Sequence, residues 1–181
     1  MIEVVRPVLR MYLDWVSAYP ISSAMIQFAL LGTLGEVISQ WIVRRSFRYP
    51  FSLALTLWKM IVWAILAVGI KYAFKGYIGY VDYLAEHQML PPLSKLGKAF
   101  AISAFMNLQF GLVLVLAHRA LDNLVVSKKN WKGLNKSLFS LIWFWIPAHT
   151  ITFMQSDAFR IGLAALWSIV LGLILGIFNR R

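Results

Sequence analysis

Two ionisable side chains of opposite sign, Glu36 and Lys59, interrupt long apolar runs in this 181-residue chain. A carboxylate and an ammonium so placed can pair with each other, hold water or meet a polar solute. Glu36 lies about seven residues from the end of the first run and Lys59 about eight into the second, so at about 1.5 Å per residue both sit roughly 10–12 Å deep. Antiparallel neighbouring helices would bring them to equal depth. A charge inside a bilayer costs about 2.5–3.5 kcal/mol on insertion scales and faces a bundle interior or water. Three readings follow: an ion pair that glues two helices, the lining of an aqueous or ligand pathway, or a Lys59 that snorkels to the interface.

Further polar residues extend the set. Ala29, Thr33, Glu36 and Gln40 recur at helical spacing on one face. Gly32 and Gly35 flank that face and permit close helix approach, so a packing seam competes with a site there. Ser103, Asn107 and Gln109 lie in the third apolar run, and His149, Thr150 and Thr152 follow Pro147 in the fourth. Pro147 predicts a kink, whose freed carbonyls need hydroxyl or imidazole partners. His149 fits either a helix–helix hydrogen bond or a proton relay or substrate contact. Glu36, Gln40, Lys59, Asn107 and His149 therefore form the candidate pathway lining or intramembrane polar network.

Chemistry of other kinds lacks its residues. The chain has no cysteine, which removes thiol catalysis and thiolate metal sites. His87 and His118 fall near run edges, and no His-x-x-x-His spacing is present. No serine–histidine–aspartate set, glycine-rich phosphate loop or paired carboxylates stand out. The expectation is a protein without catalytic residues, metal or cofactor.

The elements that must position these residues are apolar helices. Five continuous apolar stretches, 21–43, 51–74, 99–117, 138–155 and 158–178, fill the chain. A spanning helix needs about 20 such residues, and continuous rather than alternating runs favour helices over a barrel. The composition, 60% hydrophobic with mean hydropathy +0.70 and eight tryptophans, agrees. The predicted fold is all-α: a polytopic transmembrane helix bundle of four to five spans, with residues 20–181 as one domain. Residues 1–19 read as an amphipathic interfacial helix without the form of a cleavable signal, and Pro20 begins a new segment. Tyr77, Tyr80, Tyr83 and Leu84 predict a short interfacial helix within the connection 75–98, ended by Pro91 and Pro92. Trp131 anchors the second long connection, 119–137, at the interface. The last two runs are expected to make a tight hairpin, or else the final one is a helix that only dips into the bilayer. In the final run Ala164, Ser168, Gly172 and Gly176 form a small-residue ridge for packing within the bundle or between subunits.

The net charge of +11 is unevenly placed. With five spans, one side carries Arg44, Arg45, Arg48, Arg119, Lys128, Lys129, Lys132, Lys136, Arg180 and Arg181 against Asp122 alone, a net of +9. The other side carries six bases against five acids, a net of +1. Positive-inside asymmetry puts the C-terminus on the cytoplasmic or equivalent side. Arg44, Arg45, Arg48, Lys128, Lys129, Arg180 and Arg181 are expected to face anionic headgroups. The partner of this charge is then the lipid bilayer, not nucleic acid, with a homo-oligomer or a membrane-protein partner left open.

Two regions resemble the Mpv-seventeen family, which includes the 22-kDa peroxisomal membrane protein. Tyr12, Pro20 and Gly35-Glu36-Val37-Ile38-Ser39-Gln40 keep the register of the family's Tyr, Pro and Gly-Asp-x-x-x-Gln, with Glu in place of Asp. Trp145, Pro147, Thr152-Phe153, Arg160 and Trp167 are similar to its C-terminal signature, with Pro displaced by one position and Thr for Asn. Together these regions cover about half of the chain, and the middle third matches in hydropathy alone. The resemblance implies a small membrane protein, usually of four spans, that forms a weakly selective passive channel for small solutes. It implies a bacterial cytoplasmic membrane or, in a eukaryote, the inner mitochondrial or peroxisomal membrane. The second reading is a non-conducting structural or assembly protein that binds a partner through its helix faces.

Overall fold

In the computed structural model the described residues form a bundle of six helices. It describes residues 2–127 and 129–180, with side chains from Arg6 onward. The expectations for Lys128 and Arg181, and for the side chains of residues 3–5, lie outside the described residues. Helix α1 (Ile2–Ala18) runs into α2 (Pro20–Arg44), with Pro20 in the first turn where its missing N–H is no loss. Helix α3 is Leu53–Glu86 and α4 is Lys95–Asp122, the latter with a π-helical turn at Asn107–Gly111. Helix α5 is the run 134–153, made of Leu134–Ser140, a π-helical turn at Leu141–Trp145, and Ile146–Phe153. Helix α6 is Asp157–Asn179.

Four of these helices, α2, α3, α4 and α6, are long and apolar enough to cross a membrane. The predicted fourth span, 138–155, becomes α5, which is not among them. It nonetheless lies beside α6, packed closest over Ile146–Phe153. Lys136 Nζ donates to Asn179 Oδ1 at 2.7 Å at one end, and Trp167 Nε1 donates to Thr152 Oγ1 at 3.1 Å toward the other. The last apolar run forms the most hydrophobic helix of the bundle.

Local chemistry sets the connections. Ser52 and Ser94 cap α3 and α4 by accepting from the Leu55 and Gly97 amides at 3.3 and 3.1 Å. Arg45, with φ 52°, ends α2 in a left-handed turn. Trp41 Nε1 then donates to the Arg48 carbonyl and Arg44 Nη1 to that of Pro50, folding the loop back on the helix. The short interfacial helix expected around Tyr77–Leu84 is not separate: α3 continues through it to Glu86. The reason is packing, since Val81 is fully buried, Tyr80 meets Phe105 edge-on and Asp82 pairs with Lys98 of α4.

Helices α2 and α6 lie parallel and in close contact. A Cβ on Gly35 would collide with the Ser168 carbonyl oxygen, and one on Gly172 with that of Gly35. One on Gly176 would press on Ile42 and Ser39, and one on Gly32 on the Trp63 indole of α3. Small residues therefore let backbones touch where lipid offers no hydrophobic drive for association. The ridge of α6 is spent inside the bundle. Helix α1 docks on the same pair through Tyr12, whose hydroxyl donates to Gln27 Oε1 at 3.0 Å and whose ring stacks on Phe159.

Alternation of direction leaves the loops 45–52 and 123–133 and the end of α6 at one end of the bundle. That end carries exposed Arg44, Arg45, Arg48, Lys129 and Arg180. The connection 87–94 and the α5–α6 turn lie at the other.

Candidate functional site

A cavity of about 380 Å³ runs down the bundle from the basic end. Helices α2 to α6 all contribute to its wall, as does the loop before α5. Along α6 the lining extends from Asn179 to Ala164, roughly 22 Å at the helical rise. Its inner end is closed by a packed cluster, in which Phe28, Phe74 and Ala164 line the cavity and Phe153 and Ile161 complete the packing. Gln40, Glu36, Asn107 and His149 line this cavity; Lys59 lies behind its wall.

Glu36 and Lys59 meet. The Lys59 ammonium contacts Glu36 Oε2 and also Asp122 Oδ2, the latter at 3.0 Å. Trp63 Nε1 donates to Glu36 Oε1 at 2.8 Å. His118 Nε2 lies 3.3 Å from Glu36 Oε1 and 3.9 Å from Asp122 Oδ2, out of line for a hydrogen bond. The Trp63 and His118 rings pack at 4.5 Å between centroids. Lys59 is buried, while Glu36, His118 and Asp122 are partly so. One ammonium thus compensates two carboxylates, and the imidazole stands beside them. One ligand atom each from Glu36, His118 and Asp122 lies within 4.8 Å of the others, a spacing suited to a cation. The Lys59 side chain already supplies a cation to both carboxylates.

A second, uncharged network lies deeper. Asn107 Nδ2 donates to the Ser103 carbonyl at 2.8 Å and approaches His149 Nδ1 at 3.1 Å. Ser103 Oγ and Thr150 Oγ1 both donate to the Ile146 carbonyl, at 2.8 and 2.7 Å. The His149 ring stacks on Trp145 and meets Phe74 edge-on. The two π-helical turns face each other here, and a Cβ on Gly111 would press on Leu141. The turn at Leu141–Trp145 ends two residues before Pro147, which has no N–H to continue an α-helical ladder. Such π turns are frequent at functional sites.

The sequence expectations miss His118, Asp122 and Trp63. The predicted third span stops at residue 117, which leaves His118 at an edge and Asp122 in a basic loop. A signal was present, since His118 and Asp122 are four residues apart and share a helix face. The same spacing relates Lys59 to Trp63. Lys71, also within an apolar run, is buried too. Among the residues that carry the family resemblance, Arg160 Nε donates to the Gln155 carbonyl at 3.0 Å and Trp167 Nε1 donates to Thr152 Oγ1 at 3.1 Å.

No family model, no curated protein and no solved structure matches the chain. The resemblance to the Mpv-seventeen family therefore rests on those residues alone.

Proposed function

We propose that this integral membrane protein is a weakly selective, passive channel for small solutes, in keeping with the Mpv-seventeen family it resembles. The cavity carries this reading. It opens at the basic end, draws its wall from five helices and passes polar groups at two depths. A bundle built solely to fill its core would close such a space, because interiors pack with few voids larger than a water. A solute entering between α4 and α5 would exchange water first for Gln40 and the Glu36–Asp122 cluster, then for Asn107 and His149. The aromatic cluster of Phe28, Phe74 and Phe153 would have to part for full passage, which makes it the gate. Transport is downhill, since no nucleotide-binding loop is present.

Orientation belongs to the same proposal: the basic end faces the cytoplasm or its equivalent, in a bacterial cytoplasmic, inner mitochondrial or peroxisomal membrane. The test is flux of small solutes through liposomes carrying the purified protein. Flux that Phe74→Ala raises supports the channel. A tight, folded protein that passes no solute with either Phe or Ala at position 74 refutes it. Single cysteines at Ser46 and Ser127 should label from one side and a cysteine at Gln88 from the other.

The second reading, a structural or assembly protein, draws on the satisfied ion pairs. It loses one support, because the α6 ridge it would use for a partner is covered by α2.

A further inference from the structure

We infer that the solute admitted by this cavity is a small anion with an apolar body, its charge received by Arg119, Lys132 and Lys136. The inference rests on the channel reading and narrows it to a substrate class. Charge accounting carries it. Arg119, Lys132 and Lys136 line the cavity toward its basic end, and Glu36 and Asp122 are its lining acids. Both acids are already engaged by Lys59. With Lys59 included, four cations face two carboxylates, a net of +2 with His118 neutral. Among the described residues no carboxylate lies within ion-pair distance of Arg119, Lys132 or Lys136. Lys136 is held by the Asn179 amide, a neutral acceptor that fixes the ammonium and leaves its charge.

A cleft of one sign between low-dielectric walls concentrates counter-ions and draws them in. Cations meet the opposite condition, since among the described residues the lining acids they could reach are Glu36 and Asp122, and both are compensated. The walls past this point are Trp63, Phe110, Leu114 and Leu141, which suit a ring or short alkyl chain rather than a bare hydrated ion. The volume is near the small end of the usual range for small-molecule sites, about 300–1,000 Å³. The same anionic chemistry is available from a soluble carboxylate or from a lipid headgroup at the basic end.

The test uses the full chain in lipid-free nonionic detergent, titrated calorimetrically with benzoate and with benzamide, its neutral analogue of the same shape. Benzoate should bind at least about tenfold more tightly, and Lys132→Gln/Lys136→Gln should remove about that factor while leaving benzamide unchanged. Both lysines are exposed and the one hydrogen bond lost, from Lys136 to Asn179, lies at the surface, so the variant should melt close to the parent. In nanodiscs, phosphatidylglycerol that displaces benzoate where phosphatidylcholine does not would make a headgroup the resident anion. Benzoate binding unaffected by either lipid would make it a soluble one, and both outcomes support the anion class. Equal binding of benzoate and benzamide, or benzoate binding indifferent to the two substitutions, overturns it.

Planar-bilayer conductance under a KCl gradient separates this inference from the channel reading. A reversal potential on the chloride side that moves toward potassium in the double variant supports both. Conductance without chloride preference overturns the anion class and leaves the channel standing. Lysine-dependent benzoate binding with no conductance keeps the anion site and removes the channel.

Discussion

The two polar clusters of the cavity solve the same problem by different means. Near the basic end, Glu36, Asp122 and Lys59 put full charges in a partly dry interior and balance them against one another. Deeper in, Ser103, Asn107, His149 and Thr150 use neutral groups, and two π-helical turns bring backbone and side-chain partners into register. Charges tolerate burial only when paired, because a lone ion forfeits hydration that no neighbour restores. Neutral groups need only a donor or acceptor each, at a net worth of about 0.5–1.5 kcal/mol per bond. The charged cluster should therefore be the more brittle of the two, and its weakest point is the residue that is shared.

Lys59→Met is the substitution that should cost most. It leaves Glu36 and Asp122 facing each other uncompensated, and about 3–5 kcal/mol of stability should be lost. Thermal unfolding in detergent would register this as the largest drop among the single variants. Adding Glu36→Gln should restore only part of the loss, because Asp122 is still orphaned. The triple variant Glu36→Gln/Lys59→Met/Asp122→Asn should recover most of it. A double variant as stable as the triple would show that Asp122 takes no part.

Glu36→Gln or Asp122→Asn alone should be milder, at about 1–3 kcal/mol, since Lys59 keeps one carboxylate and a charged hydrogen bond is worth about that much. Similar melting temperatures for these two, both well above that of Lys59→Met, would confirm that the lysine is shared. In the neutral cluster His149→Phe keeps the aromatic stack on Trp145 and removes the partner of Asn107, at a cost of about 1 kcal/mol. Should it destabilise as much as Lys59→Met, the contrast between charged and neutral burial fails. The smallest effect belongs to Asp157→Asn, which breaks the exposed 2.8 Å pair with Lys75. Surface pairs contribute about 0–1 kcal/mol, so its melting temperature should stay close to the parent's and its loss should shrink with salt.

Hydropathy and charge by themselves determined the solvent and the architecture. Long apolar runs have few ways to satisfy their backbone in lipid, so the helical bundle and the grouping of the basic loops at one of its ends were legible without coordinates. The equal depth of Glu36 and Lys59 was legible for the same reason, because helical rise converts sequence distance into height. Rotation about each helix axis was not legible. It decided that Asp122 joins the ion pair from α4, that His118 and Trp63 close around it, and that Lys59 lies behind the cavity wall instead of lining it. Packing likewise carried α3 unbroken past Tyr77, where interfacial tyrosines alone favoured a separate helix. The small-residue ridge of α6 named a close contact but not its partner. Only the parallel approach of α2, backbone against backbone at Gly35 and Gly172, fixed that contact as internal, because a ridge encodes how near a helix can come and not which helix it meets.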